Sequence, residues 1–118
     1  MARILVLEND VGNAEVIELI LREERHEVLN IQCTNLLAGA IDKFLPQLII
    51  MDILLDNADG RVLCNNLKSD SKTSQIPILL ITAMMESHAL LITSRADCLM
   101  LKPFDYSLLT RKVNEMIN

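Results

Sequence analysis

Short apolar runs alternate with longer stretches in which apolar residues recur at helical spacing, and this alternation persists along the whole chain. Arg3–Leu7 is short and rich in apolar, partly β-branched side chains, which predicts a strand. Over residues 13–25, Val16, Ile17, Leu19, Ile20 and Leu21 are interspersed with charges, the pattern of an amphipathic helix. A second strand is expected over about 28–32, then a helix over 35–43 with Asn35 as its cap and Leu37, Ala40, Ile41 and Phe44 on one side. Pro46 ends that helix, and Leu48–Met51 reads as a third strand, apolar on both faces. An acidic loop, Asp52 to Asp59, leads into a helix over about 60–68 with Val62, Leu63 and Leu67 inward. Ile76–Thr82 is a fourth strand, 86–94 a fourth helix and Cys98–Leu101 a fifth strand. Asp105 caps a last helix in which Leu109, Val113, Met116 and Ile117 share one face.

Five strands alternating with five helices imply a parallel sheet covered on both faces. Right-handed crossovers then restrict the topology to a doubly wound α/β sheet, and the flavodoxin-like order 2-1-3-4-5 is the common five-stranded solution. With 118 residues the chain makes one domain, 1–118, and no repeat or low-complexity segment interrupts it.

Composition narrows the class. Half of the residues are hydrophobic (51%) and 23% are charged, a balance that excludes disorder. The formal charge of −5, with Lys and Arg scattered, excludes a basic nucleic-acid face. No apolar run approaches the ~18 residues of a membrane span. Cys33, Cys64 and Cys98 lack CxxC spacing and form an odd set, which places the protein in a reducing compartment, with the cytoplasm as default. His26 and His88 have no metal-ligand company and are expected on the surface, while Met51, Met84, Met85, Met100 and Met116 are expected as core or groove filler. The apolar stretch Ala89–Ile92 exceeds one buried stripe and suits packing or a partner, including a second copy of the chain.

In open parallel sheets, ligands bind beyond the carboxyl ends of the strands where the winding reverses. Strand 1 ends in Glu8-Asn9-Asp10, strand 3 in Asp52, strand 4 in Thr82 and strand 5 in Lys102. Taken singly, each has an ordinary explanation as turn, cap, β-former or solvated charge. Together they bring acids, a hydroxyl and an ammonium to one edge. Neighbouring carboxylates call for a hard divalent cation such as Mg2+, bound through carboxylate oxygens, a backbone carbonyl and waters. The hydroxyl and the ammonium suit phosphoryl oxygens, so the set reads as a phosphoryl-transfer site with a carboxylate acceptor.

The segments ILVLEND, LIIMDILLDNADG, IPILLITA and LMLKPFD occur in the order and spacing of the receiver domain of two-component response regulators, which the chain resembles over essentially its whole length. The resemblance implies that Asp52 accepts phosphate from a histidine kinase or phosphotransfer protein, assisted by Thr82 and Lys102. It implies a metal site at Glu8, Asn9, Asp52 and Leu54, a cis Lys102–Pro103 bond, and signalling to a downstream protein or output domain through helix 4, strand 5 and helix 5. That face could also join two copies. Two positions depart from the pattern. Asn9 stands where the family carries a metal-binding Asp, with Asp10 or Asp56 nearby to replace the lost charge. Leu99 stands at the place of the switch aromatic, which leaves a switch based on packing alone.

Two other classes share parts of this pattern. A pseudo-receiver would use the fold for binding without phosphorylation; Asn9 and Leu99 favour it, whereas Asp52, Thr82 and Lys102 oppose it. An enzyme on a similar fold is disfavoured. A haloacid-dehalogenase-type phosphatase needs an acid where Leu54 stands, a flavodoxin needs a phosphate loop after strand 1, and neither GxGxxG nor Walker A occurs. The chain is therefore expected not to be an enzyme.

Overall fold

The structure, a computed structural model, describes residues 1–117. In chain order its elements are β1 (Arg3–Leu7), α1 (Val11–Glu23), β2 (Glu27–Ile31), α2 (Leu37–Phe44), β3 (Leu48–Asp52), β4 (Leu54–Leu55), β5 (Ala58–Asp59), α3 (Gly60–Ser69), β6 (Ile78–Thr82), α4 (Glu86–Ala89), β7 (Cys98–Leu101) and α5 (Tyr106–Ile117). The main sheet is parallel with order β2-β1-β3-β6-β7, the expected doubly wound winding. No helix among the described residues is long and apolar enough to cross a membrane.

Two-sided burial explains why the central strands are apolar at consecutive positions. Ile4, Val6, Leu48, Ile50, Leu79 and Ile81 pack on one face with Ile17 and Leu21 of α1 and Leu109 and Val113 of α5. Leu5, Leu7, Ile49, Met51, Ile78 and Leu80 pack on the other with Ile41 of α2 and Cys64 of α3. The register Leu7↔Met51, Asp52↔Ile81 and Thr82↔Leu101 brings the carboxyl ends of four strands to one edge.

Local chemistry accounts for several element ends. Asp10 caps α1 by accepting the Asn13 N–H at 3.0 Å, and Asp105 accepts the Leu108 N–H at 2.7 Å at the start of α5. Asn35 does not cap α2. It lies in a 3-10 turn, Thr34–Leu36, whose own backbone bond from Leu36 N–H to the Cys33 carbonyl replaces the side-chain cap. Leu45, left-handed at φ 53°, closes α2 ahead of Pro46.

Four expectations are corrected. The helix expected over 86–94 is a single turn, Glu86–Ala89, because the segment after it takes its backbone partners from Asn65 of α3, at the Thr93 carbonyl and the Arg95 N–H, and Leu90 and Leu91 stay exposed. Val62 faces outward, whereas Leu63 and Leu67 pack partly buried against the core beside the buried Gly60, Arg61 and Cys64 of α3. Met85 is exposed. His26 is buried, because its Nδ1 accepts the Ala2 N–H at 3.1 Å and ties the start of β1 to the turn before β2.

Burial, and then the charge of the chain's amino terminus, hold the His26 pKa below its ordinary value of 6.5. A depressed folded-state pKa means that the unfolded chain binds more protons, so the neutral imidazole's contribution is present above 6.5 and is lost as pH falls through the folded value. The stability gap between wild type and His26→Gln, measured by urea unfolding, is therefore expected to narrow on acidification; a gap constant from pH 7.5 to about 5 would refute this.

Candidate phosphoryl-acceptor site

Asp52 ends β3 and is nearly buried. Its Oδ1 accepts the backbone N–H of Leu54 at 2.9 Å, and its Oδ2 accepts from Lys102 Nζ at 2.8 Å. Lys102 follows β7 and reaches back across the sheet edge to Glu8 Oε1 at 3.1 Å as well. One ammonium thus serves two carboxylates. Burial opposes the charge on Lys102, but Asp52 and then Glu8 outweigh it, and its pKa is raised.

Glu8 is fully buried at the end of β1. Its Oε1 also accepts from Asn13 Nδ2 at 3.3 Å, whereas its Oε2 is buried with no hydrogen-bond partner. Burial first, then the adjacent Asp52 carboxylate, push the Glu8 pKa up to about 7, against the opposing pull of Lys102. The cleft is therefore short of positive charge and carries an unmet acceptor, the condition a hard cation relieves.

Thr82 ends β6, fully buried, and its Oγ1 accepts the Met84 N–H at 3.0 Å. The Lys102 N–H donates to the Thr82 carbonyl at 2.7 Å, so hydroxyl and ammonium are placed by neighbouring strands. Lys102–Pro103 is cis. A cavity of about 530 Å³ opens beside Lys102, lined by Asn13, Val16, Ile17, Ala83, Pro103 and Phe104.

A match to the response regulator receiver domain spans residues 4–114. This chain belongs to that family. Among curated relatives, the DNA-binding dual master transcriptional regulator RpaA of Synechocystis is 27% identical over 99% of this chain and 49% of its own length. The response regulator PleD of Caulobacter vibrioides is 34% identical over 70% of this chain and 18% of its own. The receiver domain thus spans about half or less of the curated relatives it matches. Among solved structures, the signal receiver domain of a histidine kinase from Syntrophus aciditrophicus aligns with TM-score 0.88 at 26% identity, covering 99% of this chain and 90% of that one. The receiver domain of a sensor histidine kinase from Pseudomonas aeruginosa aligns with TM-score 0.86 at 22% identity over 98% of this chain and 97% of that one, and its structure carries a magnesium ion coordinated in the active-site cleft.

Within the receiver domain, the expected residues Glu8, Asp52, Thr82 and Lys102 converge. Asn9 stands at the rim, and its Nδ2 donates to Asp56 Oδ1 at 2.9 Å, so a carboxylate does lie next to the position that lacks one. Asp10 is engaged as the α1 cap. Leu54 contributes its backbone N–H to Asp52, and its side chain is half exposed.

Sequence reading missed how the loop after Asp52 is built. Residues 54–55 and 58–59 pair as a small antiparallel hairpin, Leu54↔Asp59 and Leu55↔Ala58. Gly60 then starts α3 against the backbone of Asp52 and Ile53: its N–H donates to the Ile53 carbonyl at 2.8 Å, and a Cβ there would sit 2.2 Å from the Asp52 carbonyl oxygen. The Asp-Gly pair opening a helix was the available signal, but it reads equally well as an ordinary turn.

Gly60→Ala forces this backbone apart and is expected to destabilise the domain by roughly 1–3 kcal/mol. Gly39→Ala, at a helical position with nothing within 4 Å of the added carbon, is expected to stabilise it by about 0.5–1 kcal/mol. Urea midpoints of the two variants moving in the same direction would contradict this account.

Proposed function

We propose that this receiver domain accepts a phosphoryl group on Asp52 from the phosphohistidine of a histidine kinase or phosphotransfer protein. The observation that carries the reading is the buried contact of Lys102 Nζ with Asp52 Oδ2 at 2.8 Å, beside a buried hydroxyl on the next strand. An Asp52 carboxylate oxygen attacks phosphorus, the bond from phosphorus to the donor imidazole nitrogen breaks, and that nitrogen regains a proton. In this reading Lys102 and the Leu54 N–H, both bonded to Asp52, hold phosphoryl oxygens during transfer, and the Thr82 hydroxyl donates to one of them. The domain acts as acceptor and relay rather than as an enzyme turning over a metabolite.

Glu8, Asn9, Asp52 and the Leu54 backbone carbonyl are the groups proposed to hold Mg2+. The orphaned Glu8 Oε2 and the two-to-one ratio of Glu8 and Asp52 to Lys102 fit such an ion. Bound there, Mg2+ would neutralise the charge of carboxylates and incoming phosphoryl oxygens. Signal then leaves through α4, β7 and α5 to a downstream protein, an output domain or a second copy. Leu99 in β7 supplies the packing contact where a switch aromatic is missing, beside a cavity of about 330 Å³ shared with Ile53, Leu80 and Arg61. A cytoplasmic site of action fits three free thiols.

A second reading, a binding module that is never phosphorylated, is favoured by Asn9, which removes a carboxylate from the metal site and engages Asp56 instead.

Incubation with Mg2+ and acetyl phosphate is expected to add one phosphoryl group by intact mass, and none to Asp52→Asn. No gain in a folded wild type at saturating Mg2+ would install the second reading. Asn9→Asp restores a full negative charge and is expected to tighten Mg2+ binding about tenfold or more by titration calorimetry. An unchanged affinity would mean that Asn9 does not face the ion.

A further inference from the structure

Arg61 is a charged residue that the acceptor chemistry leaves unused, yet only 5% of it is exposed. Burying a guanidinium requires full pairing, and Arg61 achieves it between two separate elements. Its Nε and Nη2 clasp Asp59 at 2.9 and 2.6 Å, while its Nη1 donates to the carbonyls of His88 and Ala89 at 3.0 and 3.1 Å. Those carbonyls close the single turn of α4, where a helix end leaves acceptors unmet. Asp59 in turn caps α3 and pairs with Leu54, whose N–H holds Asp52 Oδ1.

The stripe of α3 that begins at Arg61 continues through Asn65, Lys68 and Ser69, one face of the helix. Asn65 Nδ2 donates to the Thr93 carbonyl at 2.9 Å, and its Oδ1 accepts the Arg95 N–H at 2.8 Å. Ser69 Oγ accepts from Arg95 Nη1 at 3.3 Å, and Lys68 pairs with Asp97 at 2.7 Å. The irregular segment between α4 and β7, which begins with the exposed Leu90 and Leu91, is thus hung by polar bonds on α3. Arg61 differs from the other three in being tied to the acceptor loop.

We propose that Arg61 is the positioning residue through which the acceptor loop sets α4 and the apolar surface beside it, by a route that bypasses Thr82 and Leu99. A change at Asp52 alters the Leu54 N–H contact, shifts the short hairpin, and moves Asp59 with the guanidinium it holds. The α4 carbonyls follow. This inference rests on the acceptor reading of Asp52.

Amide NMR with Mg2+ and beryllofluoride, an acyl-phosphate mimic, tests it in wild type, Arg61→Met and Asn65→Ala. All three are expected to shift at Leu54, which reports occupancy of the acceptor. Wild type and Asn65→Ala are expected to shift over residues 86–97, and Arg61→Met to lose at least two thirds of that response. A full response at 86–97 in Arg61→Met, or an equal loss in Asn65→Ala, would overturn the proposal, the latter because mere loosening would then suffice. No Leu54 shift in wild type would defeat the acceptor reading itself, and this inference with it. Should Arg61→Met fail to fold, Asp59→Asn keeps a capping oxygen and removes the charge. It must then show the same selective loss, and a full response there overturns the proposal.

Discussion

Lys102 carries its ammonium to a place where two carboxylates, Glu8 and Asp52, are already buried, and much of the structure serves to hold it there. An unpaired buried charge is costly, so removing Lys102 would leave both carboxylates to bear that cost. The three residues come from the ends of β1 and β3 and from just beyond β7, separated by up to 94 positions in sequence. Only a rigid sheet keeps such groups within hydrogen-bond distance. The parallel register, with both faces covered by helices, supplies that rigidity, and the apolar strands are in this sense the foundation of a polar site.

Asp52 is also constrained along the chain. It is held by the N–H two residues on, the hairpin returns at once, and Gly60 brings α3 to the back of its own peptide. Loop, hairpin and helix start form one short, closely bonded unit. Asp59 and Arg61 extend that unit to α4. The short α4 is consistent with this construction, because the segment after it takes its backbone partners from α3 instead of from a longer helix of its own.

Charge at the metal position follows a similar logic. Asn9 lacks the carboxylate of the family pattern, but Asp56 lies within hydrogen-bond distance of it. Glu8 in the same cleft has its pKa raised to about 7, first by burial and then by the Asp52 carboxylate.

By itself the sequence determined the fold class, the order of the strands and that Glu8, Asp52, Thr82 and Lys102 lie at one edge of the sheet. Those features depend on local patterning and on a general rule of parallel sheets: apolar runs mark strands buried on both faces, and function gathers at their carboxyl ends. Tertiary structure alone decided the rest. The burial of His26 depends on a backbone N–H that lies 24 residues away. The inward turn of Arg61 depends on carbonyls of α4, nearly thirty residues further on, that hydrophobic periodicity does not register. The length of α4 and the need for Gly60 likewise arise from close approaches between segments. A pattern read along one chain reports which side chains prefer water, whereas these positions are set by which polar group another segment brings within about 3 Å.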